Sequence, residues 1–276
     1  MPHSPLPRVR TSAEWVAHFE ANAARLRFIP WEDGAGATDE ETTAIADSLR
    51  AWQLGETSDG SHLLAAAERY ARQTADPEFV TAVRLFIAEE QRHGRDLGRW
   101  LDLAAVPRAV ADWGDSLFRA FRYALPSMEV WATPVVMVET HALVYYNAIR
   151  RATGSPVLRA LCEQILADEV PHIRFQCERL AVLHRQRPRA LRWLTGVAHR
   201  VFFTGVTLAV WAGHRRAYRA GGYTFGRFWA PPWRKMRHAW RRMCPDAYEW
   251  TDHRTAPAAG VSDNHPVTTS ATVSGE

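Results

Sequence analysis

From its amino end the chain places apolar residues three and four apart over long stretches, and no stretch alternates with the period of two that marks a strand. Trp15, Phe19, Ala23 and Leu26 mark a first amphipathic helix over 11–26, ended by Pro30 and the run Asp33-Gly34-Ala35-Gly36-Ala37. Thr38, followed by Asp39, Glu40 and Glu41, reads as a helix start with acids in the first turn. Four long helices are expected over 44–74, 78–104, 128–152 and 157–185, each closed by a proline-containing break. A shorter connecting helix is expected over 109–123, before Pro126. A fifth long helix over 189–220 ends at Gly221-Gly222, and a last short one covers 232–243. The pattern predicts an all-α protein, a four-helix bundle with one longer crossover, followed by an additional long C-terminal helix and a basic arm. The corresponding divisions are an N-terminal extension at 1–40, the bundle at 41–187, the added helix and arm at 188–250, and a tail at 251–276. The tail is rich in Thr, Ser, Pro, Gly and Ala and is expected to be disordered.

Composition narrows the class. With 47% hydrophobic residues among 276, a sizeable core can be buried. The formal charge of +4 is mild, but the excess falls late in the chain. Cys162, Cys177 and Cys244 form no C-x-x-C pair, which excludes a rubredoxin-type or zinc-ribbon site, and three cysteines argue against a disulfide framework. The first ten residues lack the apolar core of a secretory signal. The longest apolar stretch, 201–213, is too short to cross a bilayer. These features predict a soluble, cytoplasmic protein.

The chemistry sits on the long helices. Two Glu-x-x-His motifs occur, Glu90-Gln91-Arg92-His93 and Glu169-Val170-Pro171-His172. Positions i and i+3 of a helix share a face, so each motif can aim a carboxylate and an imidazole at one metal ion or at a pair. Two such spacings are close to what chance yields in this composition, and an isolated one is usually a solvated helix face. Here, however, the first lies on the stripe Phe79, Val83, Phe86, Leu97, Leu101, and the second on Leu158, Cys162, Ile165. Buried carboxylates and imidazoles are costly unless paired or ligated. Glu139 interrupts another apolar stripe, formed by Ala132, Val135, Val136, Leu143 and Tyr146, and Glu56 precedes Leu63, Ala67 and Tyr70 on one face. The chain thus repeats one unit twice, a lone Glu and then Glu-x-x-His on the next helix.

Four carboxylates and two imidazoles in this order resemble the ferritin-like superfamily of di-iron carboxylate proteins, over about 49–183. Leu54-Gly55-Glu56-Thr57-Ser58 is similar to the first ligand helix of rubrerythrins, Ile87 to His93 to their second, and Asp168 to His172 to their fourth. The resemblance implies that Glu56, Glu90 and His93 serve one metal and Glu139, Glu169 and His172 the other, with Glu90 and Glu169 bridging. It implies two iron ions, or manganese with iron. Pro171 departs from the pattern: it removes a backbone donor inside the fourth helix and is expected to kink it. Glu89 and Asp168, about 100° round the wheel from the ligands, are read as supporting or surface acids. Glu68, only 22 residues before Glu90, is a weaker candidate than Glu56 for the first helix. His62, His141, Thr140, Tyr145 and Tyr146 are read mainly as packing residues.

The helix at 189–220 is apolar nearly all round, and is expected to pack along the bundle or to form a dimer contact. Within 214–242, nine Arg and Lys residues interleave with Tyr218, Phe225, Phe228, Trp229, Trp233 and Trp240. This arm can lie on an anionic membrane surface, but burial of its aromatics against the bundle is favoured. No nucleic-acid motif is present. The expected activity is a di-iron oxidoreductase that uses dioxygen or a peroxide to oxidise or hydroxylate a small organic substrate, supplied by a separate electron donor. Iron handling or peroxide scavenging, and a structural bundle with a binding arm, are the alternatives.

Overall fold

Thr11 and Thr38 start the first two helices by the same device. Each side chain accepts from the backbone N–H three residues on, and Glu14 or Glu41 reaches back to the cap N–H. These capping boxes open α1 (Ser12–Ala23) and α2 (Asp39–Glu56). The computed structural model describes residues 6–111 and 128–250. There the chain is all-helical, continuing with α3 (Ser61–Thr74), α4 (Glu78–Leu103), α5 (Met128–Ala152), α6 (Pro156–His184), α7 (Arg189–Ala220) and α8 (Phe225–Arg242). No strand occurs among the described residues; one isolated bridge joins Arg8 to Glu249.

Three expectations need correction. The helix expected over 44–74 is two helices, because Gly60 takes a left-handed conformation (φ 68°) and breaks the run. A Cβ there would lie 2.7 Å from Ile87, so glycine is what lets the turn sit on α4. The last helix begins at Phe225 rather than at 232 and carries Pro231 and Pro232 inside it. Thr224 caps it, and burial of Phe228, Pro232, Met236 and Ala239 holds its inner face. Residues 109–111, expected to begin a connecting helix, are not helical; the rest of that segment, like the tail expected to be disordered, lies outside the described residues.

The helices α5 and α6 form the most extensive pair; α4 packs on α1, α2, α3 and α6, while α7 packs on α2 and α5. Two apolar cores result. One gathers Phe79, Phe86, Trp131, Val136 and Phe175, with Leu63 and Tyr70 of α3. The other gathers Leu49, Trp52, Leu97, Trp100, Tyr145, Leu158 and Ile165. On α4, α5 and α6 alike, one core ends and the other begins at the predicted ligands. The break between α2 and α3 lies at that same level, directly after Glu56. A polar layer therefore divides the apolar interior.

Candidate metal centre

Each helix delivers its acid or imidazole to that layer from a buried face. Glu56, His93, Glu139, Glu169 and His172 are all buried, while the Glu90 side chain keeps 23% exposure. One ligand atom from each of Glu56, Glu90, His93 and Glu169 lies within 4.8 Å of the others, and the same holds for Glu90, Glu139, Glu169 and His172. The two groups share Glu90 and Glu169. All six residues singled out from the sequence are thus brought together, as two overlapping four-residue groups. Glu68 is not among them; it faces Arg84 at 3.9 Å on the surface.

The groups have the polarity of a cation site. His93 Nδ1, Glu169 Oε2 and both oxygens of Glu139 are buried without a hydrogen-bond partner, and His172 Nδ1 and Glu90 Oε1, also buried, have only each other at 2.7 Å. A buried polar atom without a partner costs on the order of 1–3 kcal/mol, and more if charged. Together these six converging atoms are a donor set of oxygen and imidazole nitrogen, which suits iron, manganese or zinc. Four carboxylates also balance the charge of two divalent ions.

The outer nitrogens of both imidazoles are fixed crosswise. His93 Nε2, from α4, meets Asp168 Oδ2 of α6 at 2.9 Å, and His172 Nε2, from α6, meets Glu89 Oε2 of α4 at 2.8 Å. Each acid precedes a ligand in sequence and serves the imidazole of the other helix. Asn22 of α1 donates to both acids, at 2.6 Å to Glu89 and 2.9 Å to Asp168. Arg92 and Gln164 also donate to Asp168. With Nε2 anchored outward, Nδ1 of each ring faces the carboxylates. Phe19 and Phe86 close over His172, with ring centroids 6.0 and 4.8 Å away.

The electrostatics follow from crowding. Burial raises the carboxyls of Glu56 and Glu169 well above the usual range, and the charge of Glu90 adds to the effect. Burial pushes Glu139 up to about 8. Burial would raise Glu90 as well, but His172, with Nδ1 2.7 Å from Oε1, draws it down to about 2. Burial disfavours charge on His172, yet Glu90 and Glu89 hold its pKa well above the ordinary value. Asp168 is likewise opposed by burial and held low by His93, Asn22 and Gln164.

Helix geometry supplies the remaining precision. Gly94 lies against the end of α2: a Cβ there would fall 3.1 Å from the Glu56 carbonyl and 2.9 Å from Thr57. Gln53 donates to the Gly94 carbonyl at 3.2 Å across the same contact. Pro171 does not end α6, which continues to His184 with Glu169 and His172 both turned into the cluster.

Sequence reasoning undervalued some neighbours and missed others. Tyr146, read as packing, donates to Glu56 Oε1 at 2.9 Å. Glu89 and Asp168, read as supporting or surface acids, are buried and orient the imidazoles. Asn22 was not singled out; Asn carries no sequence signal for such a role. Others do pack. His141 bonds the Met137 carbonyl and Thr207, Thr140 bonds the Val136 carbonyl, Tyr145 stacks on Trp52 at 4.5 Å, and His62 stacks beside Trp131. The cysteines are free, as expected. Comparison with protein-family models, with curated proteins and with solved structures finds no match to this chain.

Proposed function

We propose that the chain is a ferritin-like four-helix bundle, with α2, α4, α5 and α6 as its ligand helices, that holds two metal ions and acts as an oxygen-dependent oxidoreductase. Glu56 and His93 would bind one ion, Glu139 and His172 the other, and Glu90 and Glu169 would bridge them. The observation that carries this reading is the convergence of six buried donor atoms from five of these residues, four of them without a partner. Two iron ions, or manganese with iron, would supply redox electrons and open coordination positions at which dioxygen or a peroxide is reduced.

The chain's own groups set the conditions for that chemistry. Glu89 and Asp168 hold the two imidazoles in one tautomer and orientation. Tyr146 holds Glu56 through its hydroxyl. Phe19 and Phe86 exclude water from the His172 side. Glu90 has the most exposed side chain of the six, and its side is the approach for a small organic substrate. The electron donor would be a separate protein or small reductant.

Dioxygen uptake by protein loaded anaerobically with ferrous ion and then exposed to air, with a chemical reductant present, tests this reading. Sustained uptake at constant bound iron is the expected result. A single burst that leaves ferric product and stops would favour iron handling instead, and no uptake would contradict both.

A further inference from the structure

Most aromatic residues of the basic arm are turned inward, Phe225 at 45% exposure being the exception. Phe228 and Met236 are fully buried, and Trp233 and Trp240 pack on Phe203. A continuous exposed apolar stripe lies on α7. Leu194, Val197, Val201 and Leu208 recur on one face at helical spacing and are all exposed, Val201 by 71%. Ala198, Gly205 and Ala212 fill the gaps between them and are exposed too. From Leu194 to Ala212 the stripe runs roughly 27 Å without a charge on its line, with Trp193, 71% exposed, to one side of its start. The opposite face is anchored through Phe203, Thr207, Ala217 and Tyr218. The helix as a whole is long and apolar enough to cross a membrane, contrary to the reading of 201–213 alone, yet only 11% of its most apolar window is buried.

Charge indicates what covers the stripe. Helix α7 carries Arg189, Arg192, Arg200, Arg215, Arg216 and Arg219 and no acid, and α8 adds further cations and no acid. Arg215, Arg216 and Arg219 end the stripe, are exposed and form no ion pair with a described residue. On the opposite face, near the start of α7, a cleft of about 370 Å³ is lined by Arg189, Arg192, Arg200 and His199 beside Trp193 and Trp240. Its one lining acid, Asp246, is held by Arg192 at 3.3 Å. A second copy of this chain would set against each other two helices that carry arginines and no acid. A bilayer bearing anionic phosphate headgroups instead meets apolar residues with acyl chains, Trp193 with the interfacial layer and Arg215, Arg216 and Arg219 with phosphate.

We infer that α7 is a monotopic membrane-docking helix that lies in the plane of an anionic bilayer, with its Leu194–Leu208 face inserted and Arg215, Arg216 and Arg219 against lipid phosphate. This places the metal-centre helices against a lipid surface without threading the chain through it.

Flotation of the full-length protein with vesicles tests the inference, using one part phosphatidylglycerol to two parts phosphatidylcholine beside phosphatidylcholine alone. The protein is expected to float with the anionic vesicles, several-fold less with the neutral ones, and less at high salt. The double variant Val201→Glu, Leu208→Glu should lose at least about tenfold in binding, with helicity and metal content unchanged. Absence of wild-type binding, or equal binding by the variant, would overturn the inference. So would a vesicle-free wild-type dimer that the same variant converts to monomer, which would assign the stripe to a second copy. The outcome is independent of whether metal binds.

Discussion

His93 and Asp168 are joined across α4 and α6 by a 2.9 Å contact between Nε2 and Oδ2, with Nδ1 of the same ring left to face the carboxylate cluster. An imidazole held in this way presents one nitrogen in one orientation, so the carboxylate would act on a bound metal through the ring. Asp168→Ala is expected to weaken metal binding by about 10–100-fold while leaving the helical content intact, because the ring then loses both its tautomer and its direction. Competitive chelator titration of wild type and variant checks this. Glu89→Ala should behave alike through His172. Unchanged affinity in both would show that the crossed pairs are structural only.

Gly94→Ala tests how closely α2 must approach α4. The added methyl would meet the end of α2 at Glu56 and Thr57. Adjusting that contact moves the Glu56 carboxylate, so one of two metal equivalents should bind more weakly than the other. The expected loss of stability is about 1–3 kcal/mol, as for overpacked cores. Two-step metal titration and urea denaturation report the two effects separately.

Tyr146→Phe removes the hydroxyl that donates to Glu56 and leaves a buried carboxylate oxygen without its partner. Loss of that hydrogen bond should cost about 1–3 kcal/mol. Ring packing against Trp52 and Tyr145 is kept, since the ring itself is unchanged. Thermal unfolding with and without bound metal measures the difference. A smaller penalty with metal bound is expected, because the ion then holds Glu56.

Acid should loosen the junction of α5 with the segment after α6. Burial alone would raise Glu129, but His184 at 3.0 Å and Arg187 hold it down to about 2. A carboxyl with a depressed folded pKa stabilises above its unfolded value of about 4.5, and that contribution is lost as pH falls from there towards about 2. After allowance for solvent screening at this half-buried group, on the order of 2 kcal/mol is at stake. The stability difference between wild type and Glu129→Gln should therefore shrink across that window; a constant difference would show that the ion pair contributes nothing.

The sequence made the six cluster residues legible because each is a polar position on an otherwise apolar helical stripe. Burial of such positions is a physical oddity that periodicity exposes directly. Helix bounds in the middle of the chain were legible for a related reason, as prolines and capping residues mark them. The break at Gly60 was hidden, because the apolar period resumes in phase after it and only contact with Ile87 demands the turn. Asn22 was hidden because α1 is distant in sequence, and what selects it is the meeting of Glu89 and Asp168 in space. Tyr146 was hidden by its own stripe, where an aromatic ring reads as core whether or not its hydroxyl has a task. The exposure of α7 could not be read from an apolar pattern, since apolar residues on every side ordinarily predict burial.

The most direct test of the metal centre is metal content by mass spectrometry after anaerobic ferrous loading, for wild type beside Glu90→Ala and His172→Ala. The account predicts about two ions per wild-type chain and their loss in both variants, with helicity retained. Wild type that binds no transition metal, or variants that keep the full complement, would contradict it.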